Sequence, residues 1–312
     1  MDSSKRALLQ FNPNNVELVR KDINLDGPGR MEEAVDILEQ WVKMQNHFLK
    51  KDFSRQYLET TLLSAKGLVE RAKQRLDKLC TFKTLMPEFY PNTINKEMFS
   101  ILYPILHQAH LPQMTKEHYR VYLLNIVSDN FDSSIIMTYY KYLVVLSEYL
   151  KTYDYNKGFS IILDFRHINI LSFVTKMSPL ELRQVITLMT EGYGMRLKRI
   201  GILTASKMVD NLVMFFKQII SAKLGDRIYI YKDLEAIYEA IDKDILPGDY
   251  GGKEKPLKEL NEEWLDILCD KDNVALFQEL NKARTDESCR QSDKFSEHYI
   301  GMPGSFRALT VD

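Results

Sequence analysis

The first third of the chain repeats apolar residues at helical spacing. The repeat is clearest in one run: Ala34, Val35, Ile37, Leu38, Trp41 and Val42. The same kind of pattern predicts helices over residues 54–64, 68–85 and 96–108. The preceding segment is polar and contains Asn-Pro-Asn and Gly-Pro-Gly, which are typical of irregular structure. We therefore expect an irregular lead-in over residues 1–29 and an all-helical domain over residues 30–110.

The pattern changes near residue 119, where short β-rich runs alternate with helical ones. Strands are predicted over residues 119–126, 159–165, 199–203 and 227–231, and helices over residues 133–150, 178–193, 208–222 and 233–241. This alternation is typical of βαβ units, so we expect an α/β fold with a mostly parallel β-sheet flanked by helices. The predicted α/β domain covers residues 111–255. A C-terminal helix at 257–268 and a loose polar tail from residue 284 make up residues 256–312.

Charge and composition narrow the class of protein. The 312 residues carry 42 Lys and Arg against 43 Asp and Glu, which argues against nucleic acid as a partner. Three distant cysteines indicate free thiols in a reducing compartment. Apolar runs are short, as at 142–146 and 212–216, whereas a membrane span needs about 20 apolar residues, and we see no signal peptide. We expect a cytoplasmic monomer that meets membranes peripherally and transiently.

The motifs of common catalytic and cofactor sites are missing from the sequence. No glycine-rich turn follows the first strand predicted in the α/β region, and neither GxxxxGK[ST] nor GxSxG occurs. His107 and His110 are three residues apart in the region expected to be helical and could share a helix face, as metal ligands can, but no further ligand stands at a matching spacing. Two ordinary polar helix residues are the simpler interpretation. We expect no catalytic residue, no metal, no cofactor and no enzymatic activity.

Two features carry chemistry of another kind. Residues 208–222 form a broad apolar stripe flanked by lysines, which fits either a core helix or a helix that covers an apolar cavity and touches lipid. Three cations, Arg196, Lys198 and Arg199, stand where a helix is predicted to end and a strand to begin. They fit either a solvated surface or a site for anionic phosphate groups.

These segments together resemble the CRAL-TRIO lipid-binding family. The resemblance is carried by residues 159–165, 180–193, 200–203 and 208–222, and most specifically by Leu246-Pro-Gly-Asp-Tyr-Gly-Gly252. Residues 68–73 and 87–90 are similar to the invertebrate branch of the family that is like the α-tocopherol transfer protein. The resemblance implies the CRAL-TRIO lipid-binding fold. Its cavity holds one lipophilic molecule under a mobile gate helix, here residues 208–222.

The resemblance also implies two sets of site residues. The apolar cavity would be lined by Tyr142, Val145, Phe159, Ile161, Leu188, Met189, Tyr193, Met195, Ile200, Ile202, Val209, Leu212, Val213 and Phe216. A basic cleft for phosphoinositide headgroups would contain Arg196, Lys198, Lys217, Lys223 and Arg227. The chain departs from the family at Leu63, where a shared arginine is expected. Met195 stands where the phosphatidylinositol-transfer branch has a glutamate, which favours a lipophile with a small polar head.

The expected function is the intracellular binding and transfer of one lipophilic small molecule. A tocopherol-like, retinoid-like or carotenoid-like ligand fits the predicted lining, as does an isoprenoid or a phospholipid. The protein would dock to anionic membranes that contain phosphoinositides. The alternative is a lipid-sensing module whose bound lipophile regulates a protein partner, with residues 284–312 as the effector segment.

Overall fold

A five-stranded sheet organises the chain. In the computed structural model, which describes residues 8–290, the strands are β1 (Leu106–Met114), β2 (Tyr119–Ile126), β3 (Gly158–Asp164), β4 (Leu197–Leu203) and β5 (Ile228–Tyr231). They lie in this order across the sheet; β1 and β2 are antiparallel, and the other pairs are parallel. The predicted α/β class and mostly parallel sheet are confirmed. Right-handed crossovers between consecutive parallel strands place the connecting helices on one face of the sheet.

The region before the sheet is helical, as predicted. Its helices are α1 (Asn15–Lys21), α2 (Arg30–Met44), α3 (Arg55–Ser64), α4 (Val69–Leu85) and α5 (Lys96–Ser100). Helix α1 lies inside the lead-in that was expected to be irregular, so that prediction is wrong in part. Helix α3 begins where its sequence indicates, because the Ser54 hydroxyl accepts a hydrogen bond from the Tyr57 amide.

The helix predicted over residues 96–108 is wrong beyond Ser100. Pro104 disfavours helical backbone just before it, and β1 begins at Leu106. Most of β1 is buried on both faces, so its apolar residues do not alternate with polar ones. His107 and His110 stand in this strand and, three residues apart, point to opposite faces, so the idea of a shared helix face is also wrong. The predicted domain boundary after residue 110 falls inside β1.

Further helices cross over the sheet and follow it. They are α6 (Ser133–Tyr153), α7 (Ile170–Lys176), α8 (Pro179–Thr187), α9 (Val209–Ile219), α10 (Ala222–Gly225), α11 (Leu234–Tyr238), α12 (Leu257–Leu268) and α13 (Lys271–Asn281). The helix predicted to end at Tyr193 gives way to a π-helical turn over Leu188–Gly192, and the one predicted over 208–222 is split into α9 and α10. Helices α7 and α13 were not predicted. Residues 291–312 of the predicted tail lie outside the described residues.

The glycine-rich segment Leu246–Gly252 closes the α/β part by tight local packing. The Tyr250 hydroxyl donates a hydrogen bond to the buried Asp164 carboxylate at the end of β3, at 2.6 Å. A Cβ atom at Gly252 would stand 1.9 Å from the Leu246 carbonyl oxygen, and Gly251 has a φ of +77°. Both positions therefore need glycine for steric reasons.

Candidate ligand-binding site

A cavity of about 250 Å³ lies between one face of the sheet and the crossover helices. It exceeds the roughly 150 Å³ of an engineered apolar cavity that binds benzene. Residues two apart on a strand point to the same face, and Phe159, Ile161 and Leu163 of β3 all line the cavity. Among the described residues on its wall, none is Lys, Arg, Asp or Glu. Such a wall favours an apolar occupant, because a charge buried there would lack compensation.

The helical side of the wall comes mainly from α6 and α8. These helices present side chains at helical spacing: Ile135, Ile136, Tyr139, Tyr140, Leu143, Leu146 and Ser147 from α6, and Leu182, Val185 and Ile186 from α8. The π-helical turn adds Met189 and Thr190. Every crossover helix must bury its apolar stripe against the sheet, and here a gap remains between the two layers.

The structure places six predicted cavity residues on this wall: Phe159, Ile161, Met189, Met195, Ile200 and Phe216. The other eight lie outside the described wall: Tyr142, Val145, Leu188, Tyr193, Ile202, Val209, Leu212 and Val213. Each of the eight lies in, or directly after, a helix, strand or turn that contributes other residues to the wall. The sequence pattern therefore located the elements better than it located the side chains that face inward.

Packing explains where several of the eight lie. The Tyr142 ring meets the Phe99 ring edge to face, with 5.3 Å between ring centroids. The Tyr193 hydroxyl donates to Glu148 Oε1 at 2.9 Å. Leu188, Ile202 and Leu212 are completely buried by other side chains. These residues belong to the core around the cavity.

Polar side chains gather at the end of the cavity formed by β1 and β2. His110 and Tyr122 are paired across the two strands, and their ring centroids are 4.9 Å apart. The Tyr122 hydroxyl donates to Gln108 Oε1 and lies 3.2 Å from the Tyr139 hydroxyl. Helix α12 fixes this end of β1, because the Trp264 indole donates to the His110 carbonyl oxygen at 2.8 Å. We call Gln108, His110, Tyr122 and Tyr139 the polar corner.

Sequence reasoning missed the polar corner. Gln108 and His110 were placed in the domain expected to be all-helical, which hid the two-residue spacing that brings their side chains to one face of β1. Tyr139 was missed because the inward side of α6 was placed around Tyr142. One signal was available in the sequence: two adjacent tyrosines, Tyr139 and Tyr140, stand within the predicted helix over residues 133–150.

Helix α9, the predicted gate, covers part of the cavity. Phe216 from this helix, with Ile220 and Leu224 just after it, lines the wall. The helix packs on α7 and α8, where Leu212 is completely buried. On the outer side Met214 is 59% exposed. Helix α9 therefore carries one large apolar side chain on its solvent-facing side.

Five cations gather where the N-terminal helices meet the sheet: Lys66, Arg71, Arg75, Arg196 and Lys223. We call them the cationic cluster. The charge of Arg196 is the main cause that lowers the pKa of Lys66; burial and the charges of Lys223 and Arg71 lower it further. Lowering of the Lys66 pKa by three neighbouring cations indicates positive charges that are close together and incompletely neutralised.

Arg75 is the most buried member of the cationic cluster. The pKa of its guanidinium is lowered to about 10, first by burial and then by the charges of Arg71 and Arg196. Its Nη1 atom is buried and has no hydrogen-bond partner. An anion at this point would satisfy the unpaired N–H group and the surplus charge together. The nearby Asp22 carboxylate, 3.7 Å from Arg196 Nη2, instead pairs closely with Lys157 Nζ at 2.7 Å.

Two of the predicted cleft residues, Arg196 and Lys223, belong to the cationic cluster. The other three have different contacts. Lys198 Nζ lies 5.7 Å from the centre of the Tyr119 ring, the Lys217 side chain runs past Gly225, and the Arg227 guanidinium donates to the Leu197 carbonyl oxygen. Arg71 and Arg75 of α4 were not predicted. Leu63, in place of the expected arginine, is buried.

A second space of about 60 Å³ adjoins both the cationic cluster and the main cavity. Arg196 lines it on one side. Three side chains, Ser147, Phe159 and Met195, line both spaces. The two spaces are thus separated by the thickness of a few side chains.

Comparison with known proteins gives a consistent picture. The family model described as the CRAL/TRIO domain matches residues 108–252. The "Alpha-tocopherol transfer protein-like" protein of Mus musculus is 24% identical over 96 residues, which cover 30% of this chain and 28% of that protein. The structure titled "Crystal structure of Sfh5" aligns with a TM-score of 0.52 at 10% identity, covering 87% of this chain and 99% of that one. That likeness is one of fold.

The family match starts inside β1 and ends at Gly252, so it contains β2–β5 and all the crossover helices. The cavity wall lies almost entirely within it; Ile105 and Leu106 stand just before its start. Within residues 8–290, no helix combines the length and the apolar character needed to cross a bilayer.

Proposed function

This chain is a member of the CRAL/TRIO family through residues 108–252, and from this premise we propose that it binds one lipophilic small molecule in the cavity and transfers it between membranes. The observation that carries the proposal is a cavity of about 250 Å³ whose described wall contains no formally charged side chain. Water in such a space finds few partners, so replacing it with an apolar molecule is favourable. The function needs no chemical step, and the ligand leaves unchanged.

Release through α9 is the second part of the proposal. Swinging α9 away uncovers the cavity beside Phe216 and exposes Leu212 and Phe215, which are buried in the closed state. Exposing each of these costs about 1.5–3 kcal/mol in water. A membrane surface offsets this cost when the same side chains, together with the exposed Met214, enter the lipid.

Docking to anionic lipid is the third part. Support comes from the cationic cluster, whose Lys66 and Lys223 are exposed while Arg75 keeps an unpaired N–H group. A phosphoinositide headgroup carries several phosphate oxygens that match such donors. The cluster adjoins the small space that borders the ligand cavity, so docking and ligand release are proposed to occur at one membrane contact.

The first test fills the cavity. Met189 lies on the wall, so the variant Met189→Trp places an indole where the ligand is proposed to bind. We expect the purified wild-type chain to take up the uncharged dye N-phenyl-1-naphthylamine with one molecule per chain, and native mass spectrometry to detect a bound lipophile. The variant should lose dye binding by at least about tenfold.

The matched control is Met44→Trp, the same change at an exposed position of α2 away from the wall. It should bind the dye as the wild type does. A wild-type chain that carries no lipophile and takes up no dye would overturn the proposal. So would equal dye binding by the two tryptophan variants, provided that both unfold at the wild-type temperature.

A further inference from the structure

Two groups of the polar corner have hydrogen-bonding capacity that the protein leaves unused. The Tyr122 hydroxyl has a single proton and donates it to Gln108 Oε1, so the Tyr139 hydroxyl must be the donor in the contact between the two tyrosines. The Tyr139 oxygen then keeps free lone pairs on the cavity wall. The buried Nδ1 atom of His110 also has no partner, and it is an acceptor when the ring hydrogen is on Nε2. A ligand group that donates a hydrogen bond at this end of the cavity would pair with an acceptor that the protein leaves without a partner.

The same corner offers no positive charge to an anion. Burial is the main cause that lowers the pKa of His110, to about 3, so its imidazole is neutral at physiological pH. Among the described residues of the wall there is no Lys or Arg. A carboxylate or phosphate in the cavity would lose its hydration without gaining a counter-charge. The cationic cluster stands outside this wall.

We propose that the lipophile held in the cavity is uncharged and carries one hydroxyl group, which donates its proton to the Tyr139 oxygen at the polar corner. The rest of the molecule then lies along the apolar wall towards Phe216 of the gate. This inference rests on the proposed function, because it presupposes a lipophile in this cavity. It goes beyond it by naming the chemical class, a lipid alcohol, and the direction in which the ligand lies.

The test compares three probes that share one alkyl chain: dodecan-1-ol, its methyl ether and dodecanoate. Each competes with N-phenyl-1-naphthylamine for the wild-type, full-length chain at neutral pH. The alcohol and the ether differ in the hydrogen-bond donor, and dodecanoate adds a charge. We expect the alcohol to compete about tenfold better than the ether, the ratio that one buried hydrogen bond supplies, and dodecanoate to compete least.

A pair of tyrosine variants assigns the effect to the polar corner. Tyr139→Phe keeps the ring and removes the hydroxyl, so the affinity for dodecan-1-ol should fall to that of the ether, while the affinity for the ether stays unchanged. Tyr142→Phe is the matched control, since it lies on the same helix but outside the described wall. It should leave the binding of all three probes as in the wild type.

The outcomes separate this inference from the proposed function. If neither the dye nor any probe binds, the carrier proposal fails and the inference with it. If the dye binds but the ether or dodecanoate competes as well as the alcohol, the carrier proposal stands and the hydroxyl inference is overturned. Loss of alcohol preference in Tyr142→Phe and not in Tyr139→Phe would also overturn it. The wild-type probe series decides the question even if a variant fails to fold.

Discussion

The Lys151 side chain is a buried amine whose pKa is strongly lowered. It is buried in α6, where its Nζ atom donates to Thr61 Oγ1 at 2.7 Å and lies 4.5 Å from the centre of the Tyr57 ring. Burial is the main cause that lowers its pKa from 10.5 to about 7, although the Glu148 carboxylate opposes the change. That carboxylate is itself 2.5 Å from Lys83 Nζ. Lys151 therefore shares one acid with a second buried lysine.

This arrangement predicts how stability depends on pH. Between pH 7 and 10.5 the unfolded chain holds the Lys151 proton and the folded chain releases it, so the free energy of unfolding rises with pH in this window. The slope approaches about 1.4 kcal/mol per pH unit for one proton. Below pH 7 Lys151 is protonated in both the folded and the unfolded chain, so it adds nothing to the slope of the free energy of unfolding against pH. The variant Lys151→Met should lose this rise, as measured by urea unfolding across the window. An unchanged slope, or an equal loss in the exposed-site control Lys258→Met, would contradict the prediction.

Helix α8 holds the predicted gate at one further point. The Arg183 guanidinium donates from Nη2 to the Gln218 carbonyl oxygen near the end of α9, at 3.1 Å. Both residues are exposed, so this contact adds a modest amount to the packing of α9 on α7 and α8. This hydrogen bond holds the C-terminal end of α9 on α8 without involving the buried side chains of α9. We call the contact between Arg183 and Gln218 the latch.

Removing the latch should favour the open state of α9. We expect Arg183→Ala to speed the transfer of N-phenyl-1-naphthylamine to vesicles about two- to fivefold, the effect of losing one exposed hydrogen bond. Arg183→Lys, which keeps a donor, should transfer at close to the wild-type rate. Stopped-flow fluorescence measures both. Transfer by the alanine variant that is no faster than by the lysine variant would count against α9 as the gate.

At this scale the sequence predicts most elements but not all of their boundaries or faces. Strand β2 and helices α3 and α4 are predicted almost to the residue. The Ser54 cap marks the start of α3. Strand β1 is missed because both of its faces are buried, and a strand without alternation resembles a helix. The inward side of α6 is misplaced because it is buried nearly all round, so its apolar stripe does not point in one direction. The polar corner lies where these two errors meet, which is why it needed the structure.

For the whole molecule, the arrangement of charge matters more than its sum. The formal net charge is −1, yet Lys66, Arg71, Arg75, Arg196 and Lys223 collect on one side from two parts of the chain separated by more than a hundred residues. Folding thus creates a positive patch that the sequence alone shows only in fragments. The near-neutral net charge keeps non-specific attraction of the whole protein to anions low. The positive patch still attracts anions locally.

Reversing charge in the cationic cluster should weaken docking without affecting ligand binding. The double variant Lys66→Glu, Lys223→Glu changes two exposed cations, each worth about 1 kcal/mol near an anionic surface. We expect transfer to vesicles containing phosphatidylinositol bisphosphate to slow by at least tenfold, with dye binding unchanged. The control Lys258→Glu, Lys271→Glu makes the same charge change on α12 and α13. Equal slowing in both, or no slowing in the cluster variant, would remove the cluster from the mechanism.

Met195 and Arg196 are neighbours in the chain, yet one side chain lines the ligand cavity and the other belongs to the cationic cluster. In the proposed docking, a headgroup bound to Arg196 would act on the cavity wall through a single peptide unit. Such coupling is reciprocal by thermodynamic necessity: the factor by which a headgroup weakens ligand binding is the factor by which the ligand weakens headgroup binding. In the proposed mechanism, loading with ligand would therefore weaken the hold of a donor membrane on the chain, and the emptied chain would bind headgroups more tightly than the loaded one.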